Sequence, residues 1–233
     1  MKISVCGQWI LLVGICLFPG TAVMADDGSS NKKGFGIALK KNPQWQQKLK
    51  ALNVDWFYTW GSKIPEGIPA GVEYIPMVWG RWSCNDSTMA RLASEKHKTL
   101  LGFNEPDQHG QSDMTVEQAL DLWPKLMASG MRLGSPAGVH PDGEWMVAFM
   151  KEVELRGYRV DFITVHSYYG KTPKHFLQRL EKIHKLYNRP LWITEFGESV
   201  EQAFQPALDL SVLNLSRQSK GDRRERQFQH TKG

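Results

Sequence analysis

The fold is decided by the stretch Leu-Leu-Gly-Phe-Asn-Glu-Pro-Asp at residues 100–107. Its apolar beginning is typical of a buried β-strand. Pro106 has no backbone N–H to donate, so pairing of the strand is predicted to stop there. The strand therefore delivers Asn104 and Glu105 to the edge of the sheet, where a carboxylate is held rigidly but can still face a cleft.

A second stretch, Leu-Trp-Ile-Thr-Glu-Phe-Gly at residues 191–197, repeats this pattern. An apolar strand again delivers a glutamate, Glu195, at its end, and a glycine closes it. Either glutamate alone could be an ordinary loop carboxylate. Together they match the two carboxyl groups that most enzymes use to hydrolyse a glycosidic bond.

Further strands and helices alternate along the chain, which predicts a parallel α/β sheet with right-handed crossovers. The strands are predicted at residues 35–39, 54–60, 73–79, 99–104, 132–135, 160–165 and 191–194. The helices are predicted at residues 43–52, 86 or 87 to 97, 115–129, 142–156 and 172–187. Asp86 or Ser87 is the predicted N-cap of the second helix, Thr115 that of the third, with Gln118 in its first turn, and Thr172 that of the last, followed by Pro173. No helix is predicted in the Gly- and Pro-rich segment 61–71.

This alternation, without a glycine-rich phosphate loop after the first strand, favours a (β/α)8 barrel of the TIM type over a dinucleotide-binding fold. In such a barrel the carboxyl ends of all strands line one mouth, so Glu105 and Glu195 are expected to face each other across it. The 233 residues are close to the lower limit for this fold. No eighth strand is predicted after Gly197, so the barrel is expected to lack that strand or to close differently.

The chain divides into five segments by composition. Residues 1–25 have a positive start, a short apolar run and small residues before Asp26, which predicts a secretory signal peptide cleaved after Ala25. Residues 26–33 are a polar, flexible leader, and residues 34–198 are the predicted catalytic barrel. Residues 199–216 form an atypical, weakly amphipathic helical region, and residues 217–233 a basic, disordered tail.

The charge and cysteine content exclude several classes of protein. Six basic and two acidic residues lie in 217–233, so this tail carries +4 of the formal net charge of +5. The body is nearly neutral and has no basic stripe, which argues against nucleic acid as a partner. Once the signal peptide is removed, only Cys84 remains, and we expect it to be a buried or half-buried structural thiol. We predict a secreted monomer, extracellular or periplasmic, without a membrane anchor.

The residues beside the two glutamates suggest how they would work. A retaining glycosidase needs one protonated carboxyl group beside the leaving oxygen and one ionised carboxylate roughly 5 Å away. We assign Glu105 as the acid/base and Glu195 as the nucleophile. Asn104 could hydrogen-bond a sugar hydroxyl, and His166 or Tyr168 could hold Glu195 by hydrogen bonds.

Aromatic residues near the strand ends are candidates for contacts with sugar rings. Trp60 and Trp79 are the two predicted platforms, although tryptophan also fills cores well. Trp192 is predicted to be core. His166 could equally be a satisfied core histidine, and Tyr168 has a similar structural alternative.

No cofactor and no metal site are predicted. The seven histidines are scattered, without a pair at helical spacing among carboxylates, and there is no cysteine cluster. Neither a phosphate-binding loop nor a Gly-x-Ser-x-Gly nucleophile turn is present.

The motifs taken together resemble the alkali-sensitive-linkage-like glycosyl hydrolase catalytic domain, glycoside hydrolase family 128. The resemblance runs from about Gly34 to Gly197 and is carried by the sequences LGFNEPD at 101–107, SPA at 135–137, VDFITVHSY at 160–168 and LWITEFG at 191–197. It implies a barrel with catalytic glutamates at strands four and seven, at the positions of Glu105 and Glu195. It also implies β-1,3-glucan as the polysaccharide substrate. With the predicted signal peptide, the leading hypothesis is a secreted retaining endo-β-1,3-glucanase.

Two further interpretations remain open on the sequence alone. Because the family's eighth strand has no match after Gly197, the chain could be a carbohydrate-binding or inactive barrel. It could also be a retaining hydrolase that acts on another polysaccharide.

Overall fold

A computed structural model describes residues 32–168 and 172–197, which form a mixed α/β structure. Short parallel strands alternate with α-helices in this part of the chain. The strands are β1 (Gly34–Gly36), β2 (Trp56–Tyr58), β3 (Glu73–Tyr74), β4 (Thr99–Leu100), β5 (Arg132–Leu133), β6 (Ile163–Ser167) and β7 (Leu191–Phe196). The helices are α1 (Trp45–Leu52), α2 (Asp86–Ser94), α3 (Val116–Met127), α4 (Glu144–Leu155) and α5 (Pro173–Tyr187).

The strands follow one another in sequence order. β1, β2 and β3 form one parallel sheet, β4 pairs with β5, and β6 pairs with β7. Single parallel bridges join these sheets: Met77 to Leu101 after β3 and β4, and Gly134 to Phe162 before β6. β1 and β7 also contact each other. The described strands therefore form a continuous parallel succession whose first and last members meet.

The side chains of the strands divide among three apolar regions. An interior cluster lies on one face and consists of Trp56, Tyr58, Ile75, Met77, Leu101 and Phe162, with Trp60, Trp79 and Trp192 packed against it. The outer core lies between the strands and the helices α3, α4 and α5, and includes Leu100, Leu133, Ile163, Val165, Leu191 and Ile193. A third cluster packs α1 against β2 and β3, and consists of Ile37, Trp45, Leu49, Val54, Phe57 and Tyr74. Because successive residues of a strand point to opposite faces, β2 supplies Trp56 and Tyr58 to the interior cluster and Phe57 to this third one.

The helix ends show which local predictions were correct. Thr115 caps α3 and accepts the N–H of Gln118 at 3.1 Å, in the capping box that the sequence predicted. Thr172 caps α5, with Pro173 in its first turn, also as predicted. The prediction for α2 was wrong: Asn85 is the cap, because its extended backbone lets its side chain accept the N–H of Thr88.

The structure also tests the predictions for Cys84 and for the Gly- and Pro-rich segment 61–71. Cys84 is buried, as predicted, and burial raises the pKa of its thiol to about 11. No helix forms between β2 and β3, in agreement with the sequence. Among the described residues, no helix is both long and apolar enough to cross a membrane. The predicted signal peptide, most of the leader, the atypical region after residue 198 and the basic tail lie outside the described residues.

Candidate active site

Glu105 lies in the segment that follows β4, five residues past its end at Leu100, and is fixed there by its backbone. Its N–H donates to the carbonyl of Ala137 at 2.8 Å, and the N–H of Asn104 donates to the carbonyl of Trp79 at 2.8 Å. The φ angle of Glu105 is +43°. A side chain other than glycine is strained in this left-handed region by roughly 1–2 kcal/mol. The surrounding sheet therefore holds Glu105 in a conformation that the chain would not adopt by itself.

Glu195 lies within β7 rather than just past its end, at an irregularity in the pairing with β6. Val165 pairs with Ile193, but the next residue of β6, His166, pairs with Glu195. β7 therefore carries one extra residue, Thr194, at this point. This is a β-bulge, which re-aims the side chains that follow it.

The bulge decides which face of β7 carries the carboxylate. Trp192 packs against the interior cluster, whereas Ile193 belongs to the outer core. Without the bulge, strict alternation along residues 193–195 would place Glu195 on the same face as Ile193, towards the helices. With it, Glu195 shares the face of Trp192 and lies at the carboxyl end of the interior cluster.

Three neutral donors hold the carboxylate of Glu195. The indole Nε1–H of Trp60 donates to Oε1 at 2.6 Å, and the hydroxyl of Tyr58 lies 3.1 Å from the same oxygen. The Tyr58 hydrogen is shared with the carbonyl of Thr194 at 3.2 Å. The hydroxyl of Tyr168 donates to Oε2 at 2.6 Å. These bonds fix the orientation of the carboxylate.

Both tyrosines remain donors over the neutral pH range. Burial, reinforced by the negative charge of Glu195, raises the pKa of Tyr58 well above its ordinary value. Partial burial and the hydrogen bond to Glu195 likewise raise the pKa of Tyr168. Both phenols therefore stay protonated in this pH range. Each remains a hydrogen-bond donor and adds no second negative charge beside Glu195.

His166 lies between the two glutamates and is fully buried. Its Nδ1 is 2.9 Å from Glu105 Oε1. Its Nε2 is 3.2 Å from Glu195 Oε1 but lacks hydrogen-bond geometry to it. One oxygen of each glutamate and a ring nitrogen of His166 all lie within 4.8 Å of one another. In the described part of the chain, no lysine or arginine forms an ion pair with either glutamate.

Asn104 and Trp79 lie beside this group. Asn104 is buried, its Nδ2 donates to Gln111 Oε1 at 3.3 Å, and its Oδ1 has no partner. Trp79 is half-buried against the interior cluster, and its carbonyl accepts the N–H of Asn104. An unpartnered, buried amide oxygen next to Glu105 is a free acceptor for a ligand hydroxyl.

The structure brings most of the predicted site residues together, with changed contacts for two of them. Tyr168 reaches Glu195 as the sequence suggested, but the hydrogen bond of His166 goes to Glu105. Trp60 holds Glu195 through its indole N–H, which its prediction as a sugar platform did not include, and its own φ is +56°. Trp192 is core, stacked on Trp56 with ring centroids 5.2 Å apart.

Tyr58 is the residue that the sequence did not indicate. It lies in the run Trp56–Tyr58, where an aromatic residue is expected simply to fill the core. Only its distance from Glu195 identifies its hydroxyl as part of the site. The clue that could have found it is that a buried tyrosine hydroxyl normally requires a partner.

The trio Glu105, His166 and Glu195 could also hold a metal ion by its spacing. The arrangement does not require one, since two carboxyl groups suffice for the hydrolysis of a glycosidic bond. The absence of a metal from the working site stays a prediction.

A family model and several solved structures assign the chain to the same family. The chain matches the model of the glycosyl hydrolase catalytic core over residues 34–213. This match extends past Gly197, where the motif resemblance ended. A search of curated proteins found no match.

Several solved structures are similar to the chain. An endo-β-1,3-glucanase of family GH128, subgroup I, from Amycolatopsis mediterranei, in complex with laminaritriose, is 38% identical with a TM-score of 0.64; the alignment covers 77% of this chain and 78% of that one. A subgroup II endo-β-1,3-glucanase from Sorangium cellulosum is 29% identical with a TM-score of 0.58, over 73% and 76% of the two chains. A subgroup VII oligosaccharide-binding protein from Trichoderma gamsii, 22% identical with a TM-score of 0.58 over 75% and 70%, shares the fold.

Proposed function

Since the chain belongs to the glycosyl hydrolase catalytic core family, glycoside hydrolase family 128, we propose that it is a retaining endo-β-1,3-glucanase with Glu105 as acid/base and Glu195 as nucleophile. The observation that carries this proposal is the separation of the two carboxylates, which is at most 4.8 Å between one oxygen of each. Retaining glycosidases place these groups about 5–5.5 Å apart, and inverting enzymes about 6.5–9.5 Å apart to admit a water.

The hydrogen bonds of Glu195 distinguish its two oxygens. Oε1 faces the donors of Trp60 and Tyr58, which occupy its two lone pairs. Within residues 32–168 and 172–197, Oε2 accepts only from Tyr168, which leaves one of its lone pairs for the substrate. We therefore assign Oε2 as the atom that attacks the anomeric carbon, while Oε1 anchors the carboxylate.

Glu105 has the complementary arrangement. Its Oε1 is occupied by His166 Nδ1, so Oε2 is the oxygen left to carry the acidic proton. In the first step this proton passes to the glycosidic oxygen as the bond from that oxygen to the anomeric carbon breaks. The bond to Glu195 Oε2 forms in the same step. In the second step Glu105 takes a proton from water, whose oxygen attacks the anomeric carbon and displaces Glu195.

β-1,3-Glucan is the proposed substrate because a family member at 38% identity is an endo-β-1,3-glucanase bound to laminaritriose. The free Oδ1 of Asn104 is proposed to accept the hydroxyl at carbon 2 of the sugar in the glycone subsite. Such bonds strengthen in the transition state and supply several kcal/mol in glycosidases.

The remaining expectations belong to the same proposal. The succession of parallel strands, with β1 and β7 in contact, supports a TIM-type barrel. The residue pattern of 1–25 supports secretion of a monomeric enzyme that acts on polysaccharide outside the cytoplasm.

The first test is release of reducing sugar from soluble β-1,3-glucan by the parent, by Glu105→Gln and by Glu195→Gln. Loss of a positioned general acid lowers rates about 10²–10⁴-fold, so Glu105→Gln should lose at least that much. Glu195→Gln removes the attacking oxygen's charge and should lose as much or more. Proton NMR of the first-formed product should show the β anomer.

The outcomes separate the alternatives. A first-formed α anomer would contradict the retaining mechanism. A folded parent that binds glucan without turnover would favour a binding barrel. Activity that survives in both variants would overturn the assignment of the two glutamates.

A further inference from the structure

Trp82 is the most exposed large hydrophobic residue in the described part of the chain, with 77% of its surface accessible. It lies in the short 3-10 turn Arg81–Ser83, between β3 and α2. The guanidinium carbon of Arg81 is 4.7 Å from the centroid of its ring. One face of the indole is therefore covered by a cation, while the other face is open to solvent.

The turn that presents Trp82 is firmly held. The N–H of Gly80 donates to Ser83 Oγ at 3.1 Å, and the Ser83 hydroxyl donates back to the carbonyl of Gly80 at 2.9 Å. Asn85 Nδ2 donates to the carbonyl of Trp82 at 3.1 Å. The indole is thus displayed on a fixed support, which lowers the entropic cost of using it as a contact surface.

The turn leaves the sheet beside the catalytic acid. Met77 bridges to Leu101, and the N–H of Asn104 bonds to the carbonyl of Trp79 in the same register. In that register Gly80 lies opposite Asn104, and the turn Arg81–Ser83 follows directly. Trp82 therefore leaves the sheet at the same carboxyl-terminal edge at which Glu105 leaves it.

We propose that Trp82 and Arg81 form an outer sugar-binding platform that holds a distal glucosyl unit of the same β-1,3-glucan chain that is cleaved at Glu105 and Glu195. This inference rests on the proposed function and extends its site. The open indole face packs on the C–H face of a pyranose, while the guanidinium of Arg81 supports the indole from its other face.

The surroundings of Trp82 favour a sugar over a protein partner. Residues 85–87, which follow the turn, are Asn, Asp and Ser and are all exposed. A stable protein interface buries about 1,200–2,000 Å² and has an apolar centre, whereas this surface offers one aromatic ring in polar surroundings. A single pyranose is the ligand that matches one ring.

The experiment compares short and long glucans in Trp82→Ala, Trp82→Phe and Arg81→Ala. Leu155→Ala is the matched control, because Leu155 is 71% exposed and lies at the end of α4 that leads into the start of β6, away from the mouth. Binding of laminaritriose and laminarihexaose is measured calorimetrically in the Glu195→Gln background. Turnover of soluble β-1,3-glucan is measured with Glu195 intact.

The expected result depends on chain length. Trp82→Ala should weaken laminarihexaose binding and raise the KM for soluble glucan about five- to tenfold, equivalent to about 1–1.4 kcal/mol at 25 °C. Laminaritriose binding and kcat should stay within about twofold of the parent. Trp82→Phe should restore most of the loss, Arg81→Ala should show a smaller loss, and Leu155→Ala should show none.

Three outcomes would overturn the platform. The first is an equal loss of affinity for laminaritriose and laminarihexaose in Trp82→Ala, and the second is no loss of affinity for either. The third is a change of oligomeric state in Trp82→Ala on analytical ultracentrifugation, which would assign the ring to a contact between copies of the chain. Failure of the proposed function is recognised separately, since the parent itself would then neither turn over the soluble glucan nor bind laminaritriose.

Discussion

Tyr58→Phe is the variant that most directly tests the hydrogen bonds around Glu195. The substitution removes one hydroxyl from a fully buried ring and leaves its shape unchanged. The hydroxyl lies 3.1 Å from Glu195 Oε1 and 3.2 Å from the carbonyl of Thr194. Trp60 and Tyr168 remain as donors, so the carboxylate is loosened but not released.

The magnitude follows from the charge on Glu195. A hydrogen bond to a charged group contributes about 1.5–3 kcal/mol, against roughly 0.5–1.5 kcal/mol for a neutral pair. If the loss appears in the transition state, kcat/KM falls about 10- to 150-fold. The free energy of unfolding should fall less, by about 1 kcal/mol, because Oε1 still accepts from Trp60.

Tyr74→Phe is the control for this variant. Tyr74 is also buried in the sheet, and its hydroxyl lies 2.7 Å from the carbonyl of Gly61 and 2.9 Å from Thr59 Oγ1. It touches neither catalytic glutamate, so its loss should cost stability without a comparable loss of rate. Steady-state kinetics on soluble β-1,3-glucan and urea unfolding should be measured for both variants.

The refuting result is simple to recognise. If Tyr58→Phe is folded and its kcat/KM lies within twofold of the parent, the Tyr58 hydroxyl does not support the nucleophile. If Tyr74→Phe loses as much rate as Tyr58→Phe, the effect belongs to the sheet rather than to Glu195.

Two further predictions concern stability. Because Glu105 has a φ of +43°, Glu105→Gly should be more stable than Glu105→Ala by about 1 kcal/mol, the reverse of the order in a helix; equal denaturant midpoints would show that the strain relaxes. Asp142 has a lowered pKa: burial opposes its ionisation, but the hydrogen bond from Lys182 and the charges of Arg179 and Lys182 outweigh it. Its contribution should therefore be complete above the unfolded pKa of about 4 and be lost as the pH falls through the lower folded value. Urea unfolding of the parent and Asp142→Asn between pH 3 and 7 should show their difference shrinking at the acidic end, and a difference independent of pH would contradict this.

The sequence predicted those parts of the structure that depend on local patterns. The two apolar runs ending in Glu105 and Glu195, and the caps Thr115 and Thr172, are each encoded within a few neighbouring residues. At α2 the same reasoning chose the wrong cap, because Asn85 stands beside two other good candidates and only its extended backbone distinguishes it.

Contacts between distant segments were beyond such patterns. Tyr58 and Glu195 are 137 residues apart, and a tyrosine in an aromatic strand looks like core filling until the strands are assembled. Whether His166 forms its hydrogen bond with Glu105 or with Glu195 depends on the orientation of its imidazole ring. The spacing of these residues along the sequence does not determine that orientation. The β-bulge in β7 could not be predicted from the sequence either, since its extra residue is neither glycine nor proline.

The bulge at Thr194 affects how this chain should be aligned with related sequences and how variants of β7 should be interpreted. The side chain of Thr194 makes no hydrogen bond through its hydroxyl, and its contribution comes from its backbone. The direction of the nucleophile thus depends on the bulge, which leaves residue 194 out of the pairing, rather than on the identity of that residue. Point-substitution scans of this position will understate its importance, whereas deleting Thr194 would restore regular pairing and, by alternation from Ile193, keep the carboxylate on the face of Trp192. An alignment that shifts a gap by one place here would pair Glu195 with the wrong face of a related strand.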